Sequence, residues 1–319
     1  MAGPIIQPIR GIRKGEQRRD GVPFLVPSSC FRHIRVLYLV VVSRGLEGPP
    51  AAARWRCAAL INRMVEVFRY RDLIRNLVVR DLKVRYKSSF LGFVWSLLNP
   101  LLMMAVFTLV FTVMMPNNRI QHFPVFILCA ILPWNWFSSS VMGSISSIVG
   151  NANLIKKVYF PRELLPASVV LSNGVNFLLA LTVLFAMLAV FGIGLTPTVL
   201  LLPVIILIQV VFLLGVAFFL SAINVFFRDT EVIMEVLILA WFFLTPIFYD
   251  IGDLFPQYER MLYIVNPMAS LISSYRLILL WGAVPDIYFI LRTVATSMVV
   301  LVIGYLFFVN RARWFGEEL

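Results

Sequence analysis

Six long apolar stretches, Phe90–Met115, Phe123–Val149, Leu165–Phe191, Thr196–Phe227, Val232–Phe248 and Ile287–Val309, are joined by shorter, more polar linkers. A bilayer core about 30 Å thick is crossed by roughly 20 apolar residues rising 1.5 Å each. Five stretches reach that length, and Val232–Phe248 meets the lower limit. The pattern predicts an all-α integral membrane protein with six transmembrane helices. Asn99-Pro100 lies midway along the first stretch and predicts a kink. In the second, Ser139, Gly143 and Ser147 repeat at every fourth residue, a face of small side chains that lets another helix come close. Asn173, Gly174 and Asn176 provide a similar signal in the third.

The linker Tyr249–Asp286 is the longest and has a pattern of its own. Asn266-Pro267 reads as a helix start and Gly282 as its end, with Met268, Leu271, Ile272, Tyr275 and Leu279 apolar at helical spacing. A helix of about 14 residues is too short to span. With a preceding piece over Pro256–Val265, it predicts short re-entrant helices that pack against protein or line a cavity. Ahead of the fifth stretch, Asp229-Thr230 reads as an N-cap, with Glu231 and Glu235 in the first turns where the helix dipole favours acids.

Residues 64–89 predict an N-terminal amphipathic helix. At about 100° per residue, Arg69, Arg80, Lys83 and Lys87 share an arc of about 60°. Leu73, Val84, Leu77, Tyr70 and Ile74 fill the next arc, and Arg85, Arg71 and Arg75 lie beyond it. Cations flanking an apolar face suit a helix lying in the membrane interface. The aligned cations either anchor the topology or receive a phosphate-bearing lipid headgroup.

Charge sharpens this picture. The chain holds 28 Lys/Arg and 16 Asp/Glu, but residues 1–63 account for eleven and three of them. A nucleic-acid partner therefore has support only in that segment and is not expected. The apolar run Val36–Val42 is too short to span, and no convincing signal-peptide cleavage site follows it. Residues 1–63 read either as a disordered basic extension or as the product of an upstream start assigned in error. The second reading, with Met64 as the true start, is preferred. Thirteen Lys/Arg from residue 64 onward fall on one side of the predicted spans, while Arg119, Arg260 and Arg276 fall on the other, which places both termini in the cytoplasm. Arg292 lies five residues into the sixth stretch. Cys30, Cys57 and Cys129 form no CxxC pair, and His33 and His122 are the only histidines, so neither a metal site nor catalytic residues are expected. The spans carry no charge at their centres, unlike most ion-coupled carriers.

A series of ordered motifs resembles a known family. Arg80-Asp81-Leu82-Lys83-Val84-Arg85-Tyr86-Lys87 runs into Leu91-Gly92, Trp95 and Asn99-Pro100. Leu132-Pro133-Trp134, the segment Asn151 to Pro166, Phe227-Arg228-Asp229, Thr245-Pro246-Ile247-Phe248-Tyr249, Asn266-Pro267 and Tyr275-Arg276 follow in order. Together they resemble ABC-2 type permeases that export bacterial polysaccharides, over residues 64–319 and not over 1–63. The resemblance implies a homodimer with two copies of a separate ABC ATPase that binds ATP and Mg²⁺. It implies a lipid-linked glycan of the O-antigen, capsule or teichoic acid kind, moved across the bacterial inner (plasma) membrane. No G-x-x-x-x-G-K-[ST] stretch occurs in this chain, so an ATP-driven motor must be another polypeptide. An ABC-2 permease for a drug or small lipid amphiphile is the second reading, and a channel or ion-coupled carrier the third.

Three groups of residues are candidates for these roles. Lys156, Lys157, Tyr159, Phe160, Arg162 and Glu163, with Arg228 and Asp229, mix aromatic anchors with charge as protein interfaces do, and the resemblance places the ATPase-coupling helix there. Arg69, Arg80, Lys83 and Lys87 would meet the substrate headgroup. Trp134, Tyr249, Tyr258, Tyr263, Tyr275 and Trp281 would offer stacking faces to sugar rings at an external gate or channel.

Overall fold

The computed structural model describes residues 70–87, 94–110, 122–158, 160–250, 257 and 259–318, and no strand occurs among them. Ten helices carry the fold: α1 Arg71–Tyr86, α2 Val94–Leu109, α3 Phe123–Ile145, α4 Ala152–Lys157, α5 Leu164–Val190, α6 Leu202–Phe226, α7 Thr230–Leu244, α8 Glu259–Val265, α9 Pro267–Leu279 and α10 Ile287–Ala312. A final short turn, α11, covers Phe315–Glu318. Residues 1–63 lie outside the described residues.

Four helical segments are long and apolar enough to cross a membrane: α3, α5, α6 with the 3-10 turn ahead of it from Pro197, and α10. The other two expected spans are shorter. Helix α7 has 15 residues, about 22 Å at 1.5 Å each. The stretch was expected to run to Phe248, but Thr245 takes an extended backbone because Pro246 follows and disfavours helix at the residue before it. Helix α2 has 16 described residues and keeps Pro100 inside it. Before Val94 and beyond Val110, that expected span lies outside the described residues. Asp229 takes the expected N-cap position ahead of α7, but its backbone is already helical and its side chain makes no capping bond. Thr230 instead donates from Oγ1 to the Phe227 carbonyl.

Helix α3 forms the centre of the bundle, with 78% of its apolar window buried against 17% in α10. Every residue from Val125 to Trp134 is buried, as expected of a helix apolar on all sides. Small residues permit the close crossings. A Cβ at Gly143 would lie 2.9 Å from Val169 on α5, and one at Gly174 would lie 3.1 Å from the Trp136 ring. The predicted small face on α3 is therefore occupied by α5 at Gly143. The tightest crossing joins α6 and α10, where a Cβ on Gly304 would sit 2.0 Å from the Gly215 carbonyl oxygen.

Polar side chains cross-link the core. Gln209 donates from Nε2 to the Pro133 carbonyl at 2.9 Å, and its Oε1 accepts from the Tyr275 hydroxyl at 2.8 Å. Trp136 donates to the Val170 carbonyl at 3.1 Å. Asn224 donates to the carbonyl of Ile145, the last residue of α3, at 3.0 Å. That carbonyl has no partner within its own helix. Such bonds between helices contribute about 0.6–2 kcal/mol each in an apolar setting.

Candidate functional site

The first candidate surface lies at the end of the bundle that carries the basic linkers. A second apolar cluster gathers there, with Leu77 of α1, Ile148, Phe160, Leu164, Leu165, Phe218, Ala222, Val225, Phe308 and Phe315 buried together. Tyr70, Leu73 and Ile74 pack against it. Much of the apolar arc of α1 thus turns onto protein, while Val84 is 73% exposed.

The α4 linker divides into inward and outward groups. Phe160 is buried and anchors the linker in the cluster. Glu163 is buried as well. Arg162 donates from one terminal nitrogen to the Ala312 carbonyl at the end of α10, and its guanidinium lies 5.9 Å from the Phe315 ring centre. Lys156, Lys157 and Val158 are exposed, and they share with Ile155, Phe160 and Arg162 the lining of a cleft of about 310 Å³. Arg228 and Asp229 are exposed beside Phe227, itself 70% exposed. Tyr159 lies outside the described residues.

The described part of the expected headgroup stripe, Arg80, Lys83 and Lys87, lies exposed along α1. Arg80 also meets Asp81 at 3.0 Å and donates to the Asn151 Oδ1 at 3.2 Å, with its side chain 46% exposed. Arg85, one of the looser basic group, donates to the Asn173 Oδ1 at 2.9 Å. Arg69 lies outside the described residues.

The second candidate surface is the segment between α7 and α10. Asn266 caps α9 by accepting from the Met268 and Ala269 amides at 3.1 and 3.3 Å. It also accepts from the Trp241 indole at 2.9 Å and donates to the Thr245 hydroxyl at 3.0 Å. Arg276 is buried, although its sequence position suggested an outer-side topology charge. Its guanidinium donates to the carbonyls of Pro246 at 2.6 Å, Ile247 at 2.7 Å, Phe126 at 3.4 Å and Tyr249 at 3.5 Å. It also sits 3.4 Å from the Phe126 ring centre. Two motifs separated in sequence, Thr245–Tyr249 and Asn266 with Arg276, therefore make one knot. Gly282 ends the segment with a φ of +60°, and a Cβ there would meet the Thr196 side chain at 2.6 Å. Arg292 donates to the Ser270 hydroxyl at 3.4 Å and covers the Phe289 ring rather than reaching outward alone.

Of the aromatic residues considered for a gate, Trp134 and Tyr275 are closed inside the subunit, against Phe137 and Phe242 and against Phe177 respectively. Helix α3 is apolar on several faces and does not disclose which of them meets the core, whereas Tyr275 is buried with the apolar spacing of α9 to which its position assigns it. Tyr263 is half-buried and donates to the Ser273 hydroxyl at 3.3 Å. Tyr249 is half-buried and donates to the Phe243 carbonyl at 3.4 Å. Trp281 is 50% exposed, and Tyr258 lies outside the described residues. Helix α9 buries most of its surface, leaving Ser273, Leu277 and Leu280 partly accessible on one face. Cysteines placed singly from Met268 to Leu280 are expected to react with an impermeant maleimide at those three positions and not between them. Uniform labelling along the helix would refute this packing.

Among the described residues no three His, Cys, Asp or Glu side chains cluster in a way that could hold a metal ion. The helical bundle, its membrane-length apolar helices and its two polar ends define a multi-pass membrane protein. The chain belongs to the ABC-2 type transporter family, whose pattern it matches over residues 72–280. It is 41% identical over 261 residues to the O-antigen export system permease protein RfbA of Myxococcus xanthus, covering 82% of this chain and 100% of that protein. Two proteins of the same name from Klebsiella pneumoniae are 36% identical over 251 residues and 34% identical over 249, each covering 78% of this chain and 95% of its own length.

Proposed function

We propose that this chain is the permease subunit of an ATP-driven exporter of lipid-linked polysaccharide, of the O-antigen, capsule or teichoic acid kind. The observation that carries the proposal is the likeness to O-antigen export permeases along 95–100% of their length. In this reading two copies of the chain pair with two copies of a separate ABC ATPase, which binds ATP and Mg²⁺. Residues 64–89 form an interface helix, and residues 90–319 form a domain of six membrane segments in which α2 and α7 complete the count. Both termini lie in the cytoplasm of a bacterium, with the basic end of the bundle facing its ATPase.

Lys156, Lys157, Arg228 and Asp229 then form the outward part of the coupling surface, while Phe160, Arg162 and Glu163 support it from within. Arg69, Arg80, Lys83 and Lys87 attract the lipid headgroup, and Trp281, Tyr249, Tyr258 and Tyr263 border the external mouth. The inner-membrane location and the export direction follow from the same reading.

The test uses a strain lacking this permease but keeping its ATPase and glycan synthesis. The unaltered chain should restore surface glycan. Reversing Lys156 and Lys157 to Glu together should reduce it at least about tenfold, since charged interface contacts govern partner recognition, with subunit abundance unchanged. Extrusion of a fluorescent amphiphile with no surface glycan would establish the small-amphiphile reading instead.

A further inference from the structure

We infer that Arg162 and Phe315 form a joint that fastens the α4 linker to the end of α10, so that any displacement of the linker is delivered to α10. The inference rests on the proposed coupling role of that linker.

The joint has three parts. The last carbonyls of a helix lack partners within it and carry partial negative charge, so a cation placed there is favoured. Arg162 occupies that position on α10 from a site 150 residues earlier in the chain, donating to the Ala312 carbonyl. Phe315, one turn beyond, is fully buried and presents its ring to the guanidinium. It also meets Phe308 of α10 with ring centres 5.4 Å apart and Phe226 of α6 at 6.2 Å. Phe160, two residues before Arg162, enters the same cluster from the linker. Arg80 holds the other end of the linker through Asn151. The linker is therefore gripped at both ends.

Its onward connection is equally direct. Helix α10 is locked against α6 at the Gly215–Gly304 crossing. Near its first turns, Arg292 contacts Ser270 of α9. A linker fastened to the end of α10 has a stiff element between itself and the far segment. Arg162 acts in this scheme as a positioning residue, through α10, and not as a contact for the ATPase.

The experiment takes the full chain with its ATPase in lipid nanodiscs and measures amide hydrogen exchange alongside transport. Arg162→Gln, Phe315→Leu and the double variant are compared. Each single variant should speed exchange at both 154–158 and 309–312 by about tenfold, as loss of a charged hydrogen bond or cation–π contact predicts, with α3 unchanged. The double variant should be no faster than the singles, because they open the same joint. Export per ATP hydrolysed should fall about fivefold in proteoliposomes, in line with coupling energies carried by packed networks. Faster exchange in only one segment, additive effects, or a parallel loss of folded protein would each overturn the joint. If the unaltered complex hydrolyses ATP without moving glycan, the functional reading fails, and the exchange result alone decides the joint.

Discussion

Gly304→Leu is expected to leave almost no folded subunit, and Gly304→Ala to lower its thermal stability measurably. At this crossing the backbones of α6 and α10 touch. A Cβ on Gly304 would meet the Gly215 carbonyl oxygen at 2.0 Å, and one on Gly215 would meet the Leu301 amide nitrogen at 2.6 Å. Neither obstacle is the flexible end of a side chain, so the helices themselves must separate. Overpacking against side chains costs about 1–3 kcal/mol, and here the whole length of two membrane helices would have to give way. Gly150→Ala is the control, because nothing lies within 4 Å of a Cβ there. The measurement is monodisperse yield and melting temperature in detergent. Wild-type values for Gly304→Ala would show that the crossing is looser than described.

Arg276→Met should be the second most damaging single change. The side chain is 2% exposed and its donors face four backbone carbonyls. Methionine fills much of the space but donates nothing, and each buried carbonyl left without a partner costs about 1–3 kcal/mol. The total is several kcal/mol, against a stability of about 5–15 kcal/mol for a typical folded protein. Arg276→Lys should rescue only part of this, because a single ammonium cannot reproduce the planar fan of a guanidinium. Melting temperature is expected to fall in the order Arg, Lys, Met, with maleimide labelling spreading along α9 in the same order. A lysine variant as stable as the arginine would rule out the fan as the source of that stability.

The long helices were legible because a full-length apolar run leaves little freedom. Phe123–Val149 was expected and Phe123–Ile145 is found, and Ile287–Val309 was expected where α10 runs Ile287–Ala312. The cap and apolar spacing of α9 were legible for the same local reasons. Side-chain destinations were not. Arg276 resembled a topology charge because its carbonyl partners, at Phe126 and over Pro246–Tyr249, lie on two stretches far from it in sequence. Arg162 resembled a surface contact because its partner lies 150 residues away. Trp134 sits on a helix apolar around most of its circumference, so nothing marked its inward side, whereas Tyr275 already shared the apolar spacing of α9 with Met268, Leu271, Ile272 and Leu279. Pro246 was the one local signal passed over, and it shortens α7.

The central position of α3 carries a consequence for how the chain is made. Among the membrane-length helices α3 has the lowest mean hydropathy, 1.5 against 3.0 for the segment containing α6, and it is also the most enclosed by protein. Its sequence is suited to neighbouring helices more than to lipid. During synthesis it emerges before α5, α6 and α9, the elements that later cover it. For that interval Ser140, Ser144 and Trp136 face acyl chains or the insertion machinery. Helix α2, made before it, packs against α3 through Met104 and Phe107, and the Gly143 and Gly174 contacts between α3 and α5 complete its enclosure on the next side.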